Sequence, residues 1–408
     1  MTSTAPPPID LADPAVVADP YPAFARARAQ APVQWHDGLG LWLAFTHAEA
    51  GAVLRDRRLG RIWRDREPAE RFGSFNLIHR NAILEMEPPD HTRLRRLIST
   101  AFARGHVERL RPWVQELARE LVDGLVVRSA GREPVDVLAG MAEELPVAVI
   151  AELLGVPHAD RPLLRPWSNA IVKMYEYGRT TAVEDAAERA AAEFVAYLRG
   201  LVADRRRAPG EDLVSHLVSV RDDSVTAPAQ AQLTEDELVT TCILLLNAGH
   251  EATVNVSGNG LLALLEHPDQ LARLRADPDL LPTAIEELMR FDSPLQLFER
   301  TATEDVELGG ATVARGQKVA ALLGSANRDP AVFADPDALD LGRSPNPQIS
   351  FGAGVHFCIG APLARVELQA TFGALLERTS RLELGRPPRR RPEFVIRGLA
   401  ELPVVLTP

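Results

Sequence analysis

The sequence predicts a mainly α protein with a smaller β region, an α+β fold. Three observations carry this. From about residue 47 to 290, apolar residues recur at three- and four-residue spacing, the period of helices that bury one face. Within that stretch one pattern runs from Thr234 to His267 with a clear start and stop. After residue 300 the chain changes to short apolar runs punctuated by glycine, as in V-E-L-G-G-A-T-V.

Taken in order, residues 1–20 are rich in Pro and Asp and read as an extended lead-in. Residues 32–47 place β-formers around D-G-L-G and read as a hairpin. Residues 60–89 lack periodicity and read as a long loop; such loops in compact domains are often functional. Helical patterns cover 91–104, 106–128, 141–154 and 183–206. In the long pattern, Thr234 followed by Glu237 forms a capping box, and Pro268 ends it. A helix of that length is a rod of roughly 48 Å, long enough to cross a domain. Residues 327–350 are rich in Asp, Pro and Asn and read as coil, and the tail F-V-I-R-G-L-A-E-L-P-V-V-L as strands. R-P-P-R-R-R-P (386–392) reads as a solvated turn. No dividing linker separates helices from strands, so residues 1–408 are expected to form one unit.

Bulk composition narrows the function. A net charge of −11 argues against general nucleic-acid binding. The two cysteines, Cys242 and Cys358, lie too far apart for a disulfide framework or a C-x-x-C metal site, which fits a reducing cytoplasm. The N-terminal residues show no basic region followed by an apolar core, and no long uncharged apolar run suggests a membrane span. A cytoplasmic monomer is expected.

Two stretches carry chemistry. In F-G-A-G-V-H-F-C-I-G-A-P-L-A-R, Phe351 to Arg365, glycines surround one cysteine and a helix comes next, with Pro362 in its first turn. A tight loop before a helix N-terminus turns backbone N–H groups toward sulfur, which favours a thiolate. Gly360 leaves room for a flat ligand against the backbone. On the loop alone, an inert buried thiol stays open as well. The second stretch is N-A-G-H-E-A-T-V-N, Asn247 to Asn255, a polar break at the centre of the long apolar helix. Buried polar groups and a mid-helix glycine both cost stability, so the break asks for a functional reason.

The cysteine loop resembles the haem-binding loop of the cytochromes P-450, F-G-x-G-x-H-x-C-x-G, and further motifs match that family in order along nearly the whole chain. The resemblance implies haem b with Cys358 as axial ligand. It implies haem-propionate or haem-pocket contacts from His91 and Arg95 (H-T-R-L-R), Arg300 (F-E-R-T-A), His356, Phe351, Gly352 and Gly360. It implies a structural cluster of Glu287 and Arg290 (E-E-L-M-R), completed by Arg343 (D-L-G-R). The polar break matches the family's A-G-x-[D/E]-T. By that match Ala248 and Gly249 open an oxygen groove over the haem, with freed carbonyls where the helix ladder breaks. Glu251 relays protons, or else forms an ion pair with a distant arginine. Ala252 replaces the family's Thr, which helps proton delivery; alanine has no hydroxyl to do so. One residue along a helix turns a side chain by about 100°, so Thr253 is expected to face elsewhere.

The resemblance implies a monooxygenase. It would insert one oxygen atom from O₂ into a C–H bond or double bond of a mainly hydrophobic small molecule, in secondary metabolism. Oxidative C–C or C–N coupling is the alternative that Ala252 suggests; a haem-based sensor is the third. Matched regions give as substrate contacts Phe75, Leu77, Ile78, Leu245, Leu295, Gln296, Phe298, Val395 and Ile396. No flavin or reductase motif is present, so ferredoxin and ferredoxin reductase are the implied electron donors. Arg93, Arg95, Arg96, Arg104, Arg109 and Arg111 would offer an acidic partner a docking face. Cys242 is expected to be core.

Overall fold

The computed structural model describes residues 9–99, 102, 104–221 and 231–408, without the side chains of 104–106. Residues 1–8 of the expected lead-in and the Arg104 side chain thus lie outside the described residues. Helices dominate to residue 291, and strands return afterwards.

The long helix spans Glu235–Glu266, and its capping box is formed in both directions: Thr234 Oγ1 accepts from the Glu237 N–H, and the Glu237 carboxylate accepts from the Thr234 N–H. Most of its side chains are buried, because other helices pack around it. Leu246, Val254, Leu261 and Leu264 are buried along it; Leu246, Leu261 and Leu264 join one large apolar cluster with the Glu144–Leu154, Thr181–Arg207 and Ala361–Arg378 helices. A helix buried on all sides is apolar all round, so any polar residue in it must find a partner or a purpose.

The hairpin forms as expected, Val33–His36 against Leu41–Ala44, with Val33 opposite Ala44. It is one edge of a five-stranded sheet. Leu41–Ala44 pairs in parallel with Lys318–Leu322, which pairs antiparallel with Leu297–Ala302, and Leu59–Gly60 closes the other edge. This sheet carries Arg300 opposite Val319. A three-stranded sheet joins Val135–Asp136, Pro403–Thr407 and Arg381–Leu384.

Three expectations need correction. The described part of the lead-in is not all extended: Pro14–Ala18 is a helix capped by Asp13, and a second helix, Tyr21–Gln30, follows the lead-in. The loop at 60–89 holds a helix, Gly73–Arg80, whose start has no side-chain cap. Two turns without a cap give too short a pattern to stand out in sequence. The arginine run at 386–392 is not simply solvated. Arg389–Arg390 pairs with Leu399–Glu401, and this pairing brings the next arginine back over the long helix.

Candidate active site

One cavity of about 960 Å³ lies between the cysteine loop and the long helix. Cys358 and Gly360 line one side; Leu245, Ala248, Gly249, Glu251 and Ala252 line the other. His91, Arg95, Arg300, Phe351 and His356 stand on its wall as well. Residues from widely separated regions of the sequence therefore face one space.

The cysteine loop is shaped by backbone. Gly352 and Gly354 have φ of +70° and +71°, where a side chain is strained. A Cβ at Gly354 would also run into the Leu54 carbonyl. Gly352 supplies the turn and does not itself reach the cavity. At Gly360 a Cβ would meet only Cys358 Sγ, at 3.8 Å, so the cavity side of this residue is open. Cys358 is exposed, but to this cavity rather than to the outer surface. Enclosure pushes its thiol up; the N–H of Gly360, the Arg95 guanidinium and the N–H of Ala361 pull it back. Cys242 is fully buried in the core as expected, its thiol pushed up to about 12 by burial.

Around the rim stand groups suited to an anion. Arg300 is 4% exposed, and its side chain donates from Nη1 to the carbonyl of Glu299, 2.9 Å. Burial, then the neighbouring Arg61, lowers its pKa to about 9. A guanidinium in that position is short of negative charge. His91 is held down to about 4 by burial, with His356 and Arg95 adding, so it is neutral at pH 7 and has an N–H to donate. Its ring packs edge-on to His356, centroids 4.5 Å apart. His356 Nε2 lies 2.9 Å from Glu87 Oε1, a contact with no local signature in the sequence. Arg95 donates to the Phe357 carbonyl at 2.8 Å. A cavity-facing thiol held by two N–H groups, an open glycine beside it and a buried, underpaired arginine fit haem b and its propionates.

On the long helix the geometry changes one reading. The helix is continuous through Gly249. A Cβ on Gly249 would come within 3.0 Å of Ile150 Cδ1, so the glycine lets the Glu144–Leu154 helix pack close. Thr253 lines the cavity too, contrary to the expectation that it turns away. Asn247 also faces the cavity, and its buried Oδ1 has no hydrogen-bond partner among the described residues.

Glu251 is 5% exposed and lies 3.3 Å from Arg391 Nη1. Arg391 also approaches Glu143 at 3.7 Å, and Glu143 pairs with Arg165. Burial raises the Glu251 pKa, Arg391 opposes this, and Glu143 adds to it. The two positions expected of Glu251 thus meet in one residue: it reaches the cavity and it is ion-paired. It also lines a second cavity of about 320 Å³, with Arg391 and Glu393.

Of the expected substrate contacts, Phe75, Leu245, Leu295, Phe298, Val395 and Ile396 line the main cavity. Leu295 and Ile396 form a β-bridge with each other. Leu77, Ile78 and Gln296 are not on its wall. All three lie on the Gly73–Arg80 helix; Phe75 reaches both the cavity and the core, while Leu77 and Ile78 pack only into the core. Gln296 is fully buried and donates to the Ser293 carbonyl at 2.8 Å.

The structural cluster assembles. Arg290 Nε and Nη2 lie 2.7 and 2.8 Å from the two oxygens of Glu287, both side chains fully buried. Arg343 Nε reaches the same carboxylate at 3.1 Å. The expected docking face is less free than the sequence suggests. Arg93 pairs with Glu237, Arg111 with Glu108, and Arg109 is exposed.

These features define a haem-thiolate enzyme site. The cytochrome P450 family model matches residues 61–397. The chain is 40% identical to the cytochrome P450 monooxygenase PikC of Streptomyces venezuelae, over 99% of this chain and 95% of that protein. It is 43% identical to nocardicin C N-oxygenase of Nocardia uniformis subsp. tsuyamanensis, over 95% and 96%. Among solved structures, P450BioI in complex with an acyl carrier protein bearing hexadec-9Z-enoic acid superposes with a TM-score of 0.90 at 36% identity, covering 96% of this chain and all of that one. The chain belongs to the cytochrome P450 family, has its fold and haem cofactor, and is a monooxygenase. No helix among the described residues is long and apolar enough to cross a membrane.

Proposed function

We propose that this monooxygenase inserts one atom of O₂ into a C–H bond or double bond of a mainly hydrophobic small molecule of secondary metabolism. The observation that carries this reading is the single cavity with Cys358 on one wall, Glu251 and Ala252 on the other, and an apolar flank of Phe75, Leu245, Leu295 and Phe298. Haem held by Cys358 supplies reductive activation of O₂, with two electrons and two protons consumed and the second oxygen leaving as water. The electrons come from a ferredoxin and its reductase.

The chain's own residues do the rest. Arg300, Arg95 and neutral His91 hold the propionates. Gly360 lets the ring lie against the cysteine loop. Glu251 moves protons between the two cavities it lines. Ala252 offers only a methyl, so the last donor is a substrate hydroxyl, an ordered water or the hydroxyl of Thr253, which also lines the cavity. The relatives named as monooxygenase and N-oxygenase support oxygen insertion over coupling.

The test is the optical spectrum of the purified protein. The reduced carbonyl complex is expected to show the thiolate-haem band, lost in Cys358→Ala. Titration of the ferric form with macrolides, terpenoids, steroids, fatty acids and cyclic dipeptides should move it from low to high spin with one class. Product mass then separates oxygen gain from loss of hydrogen alone. Absence of haem would overturn the reading. Peroxide release that rises on adding substrate and is not relieved by Ala252→Thr would count against a substrate hydroxyl as donor.

A further inference from the structure

The outer part of the main cavity is not apolar. It is lined by Arg66 from the segment before the Gly73–Arg80 helix and by Arg179 from the segment before the Thr181–Arg207 helix. The backbone of Arg66 is held on both sides. Asn76, 2% exposed, accepts from the Arg66 N–H at 2.8 Å and donates to its carbonyl at 3.0 Å. A buried amide thus pins this one residue, yet its half-buried guanidinium has no hydrogen bond or ion pair among the described residues.

Arg179 is close to the same condition. It donates from Nη1 to the Glu176 carbonyl at 3.2 Å, and its buried Nε has no hydrogen bond. Its one carboxylate neighbour among the described residues, Glu184, lies at 3.5 Å and is shared with Arg71 at 2.9 Å. Arg66 and Arg179 are near enough to repel each other. The three acids whose fields reach Arg66 are each engaged elsewhere. Glu184 holds Arg71, Glu299 holds Lys318 at 2.8 Å and accepts from Tyr177, and Glu85 holds Arg61. Arg66, whose guanidinium has no partner among the described residues, and Arg179, which shares Glu184 with Arg71, both line the cavity and both have donors to spare for an anion.

We propose that the substrate is an amphiphilic acid whose carboxylate docks between Arg66 and Arg179, with an apolar body running along Phe75, Phe298 and Leu245 toward Cys358. This rests on the monooxygenase reading and narrows its substrate class. Arginine suits the task, since its planar fork holds a carboxylate by paired hydrogen bonds.

The experiment uses the haem-loaded protein and the ferric spin-shift titration. The probes are decanoic to hexadecanoic acids, each beside its methyl ester and primary amide. The best acid is expected to bind about ten- to a hundredfold more tightly than its ester and amide, the range of a charge-assisted bond. Arg66→Gln and Arg179→Gln should each bring that ratio most of the way to one, by weakening the acid and not the ester. Added salt should weaken the acid alone. Acids that bind no better than their esters, acids that give no shift, or a preference that survives both substitutions would overturn the proposal. The reduced carbonyl spectrum of each variant is the control. If its thiolate band is absent in the unaltered protein, the monooxygenase reading has failed and not the anion site. If it is lost only in a variant, Arg66→Lys and Arg179→Lys, which keep the charge but not the fork, are expected to give an intermediate ratio; an unchanged ratio there also overturns the proposal.

Discussion

Arg290→Met removes a fully buried guanidinium that ties the coil at 327–350 to the helix behind the haem site. Arg290 is fully buried and donates to Glu287 twice, and to the carbonyls of Asn327 at 2.9 Å, Pro336 at 2.7 Å and Ala338 at 3.0 Å. Breaking a buried pair from one side costs about 3–5 kcal/mol. The carbonyls of Asn327 and Pro336 lose this donor as well, and an orphaned buried acceptor costs about 1–3 kcal/mol. Arg343, Asn346 and the Asp340 N–H still hold Glu287, which argues for the lower end of the pair term. With about 3 kcal/mol for the pair and about 1–3 kcal/mol for each of the two carbonyls, the expected loss is about 5–9 kcal/mol, a large share of the roughly 5–15 kcal/mol typical of a folded protein. Urea unfolding followed by circular dichroism measures it, with haem content as a second readout. Because the coil leads directly into Phe351, haem occupancy should fall with stability. Arg290→Lys, which keeps charge but not the fork, should lose about half as much. A Met variant within about 1 kcal/mol of the unaltered protein would refute the argument, since surface-like tolerance is incompatible with a fully buried fork.

Two further outcomes are expected. Glu251→Gln should lower product formation about a hundredfold, as removal of a proton-transfer group does, while the carbonyl spectrum and substrate spin shift stay as they were; unchanged turnover would remove Glu251 from proton delivery. Glu367 lines the cavity below the cysteine helix start, is fully buried with Oε2 unpartnered, and has its pKa pushed well up by burial alone. Its folded-state pKa lies above the unfolded one, so the folded state keeps a proton that the unfolded state releases. Stability conferred by this group is full below the unfolded value and is lost as pH rises toward the folded one. Glu367→Gln should flatten that decline in urea titrations carried upward from the ordinary carboxylate range; equal slopes in both proteins would show the carboxyl is not buried neutral.

How much of this is legible in the sequence depends on whether the signal is local. The long helix is legible, because Thr234, Glu237 and Pro268 mark its ends through local backbone chemistry. So is the cysteine loop, because positive φ at Gly352 and Gly354 demands glycine at those positions. The ordered motifs then carry His91, Arg95 and Arg300 to one cavity. What the sequence hides is tertiary. Gly249 reads as a groove because a mid-helix glycine suggests a break, whereas only packing reveals Ile150 opposite it. Phe75, Leu77 and Ile78 lie on a helix too short and uncapped to read. Asn76, Glu87 and Arg391 carry no local signal. Each matters only through a partner that the fold brings near: Arg66 for Asn76, His356 for Glu87 and Glu251 for Arg391.

Arg391 also decides how the polar break in the long helix works. His250 and Glu251 are both buried, and the imidazole is held neutral, down to about 4, by burial and by Arg165 and Arg391. Among the described residues neither ring nitrogen of His250 has a hydrogen bond, and it is Arg391 first, then Arg165, that opposes the effect of burial on Glu251. Arg391 is partly exposed and lines the second cavity, which places it on the solvent side of the acid. With Ala252 unable to donate, proton supply rests on Glu251 exchanging with that side. Arg391→Gln removes the charge that opposes burial, so the Glu251 pKa must rise further. The protonated form then persists to higher pH, and the alkaline limb of the kcat/KM profile for product formation should move up. Glu251→Gln should abolish that limb. A limb that Glu251→Gln abolishes but Arg391→Gln leaves in place would mean the acid takes its protons by another route, and that the ion pair only holds the arginine segment against the helix.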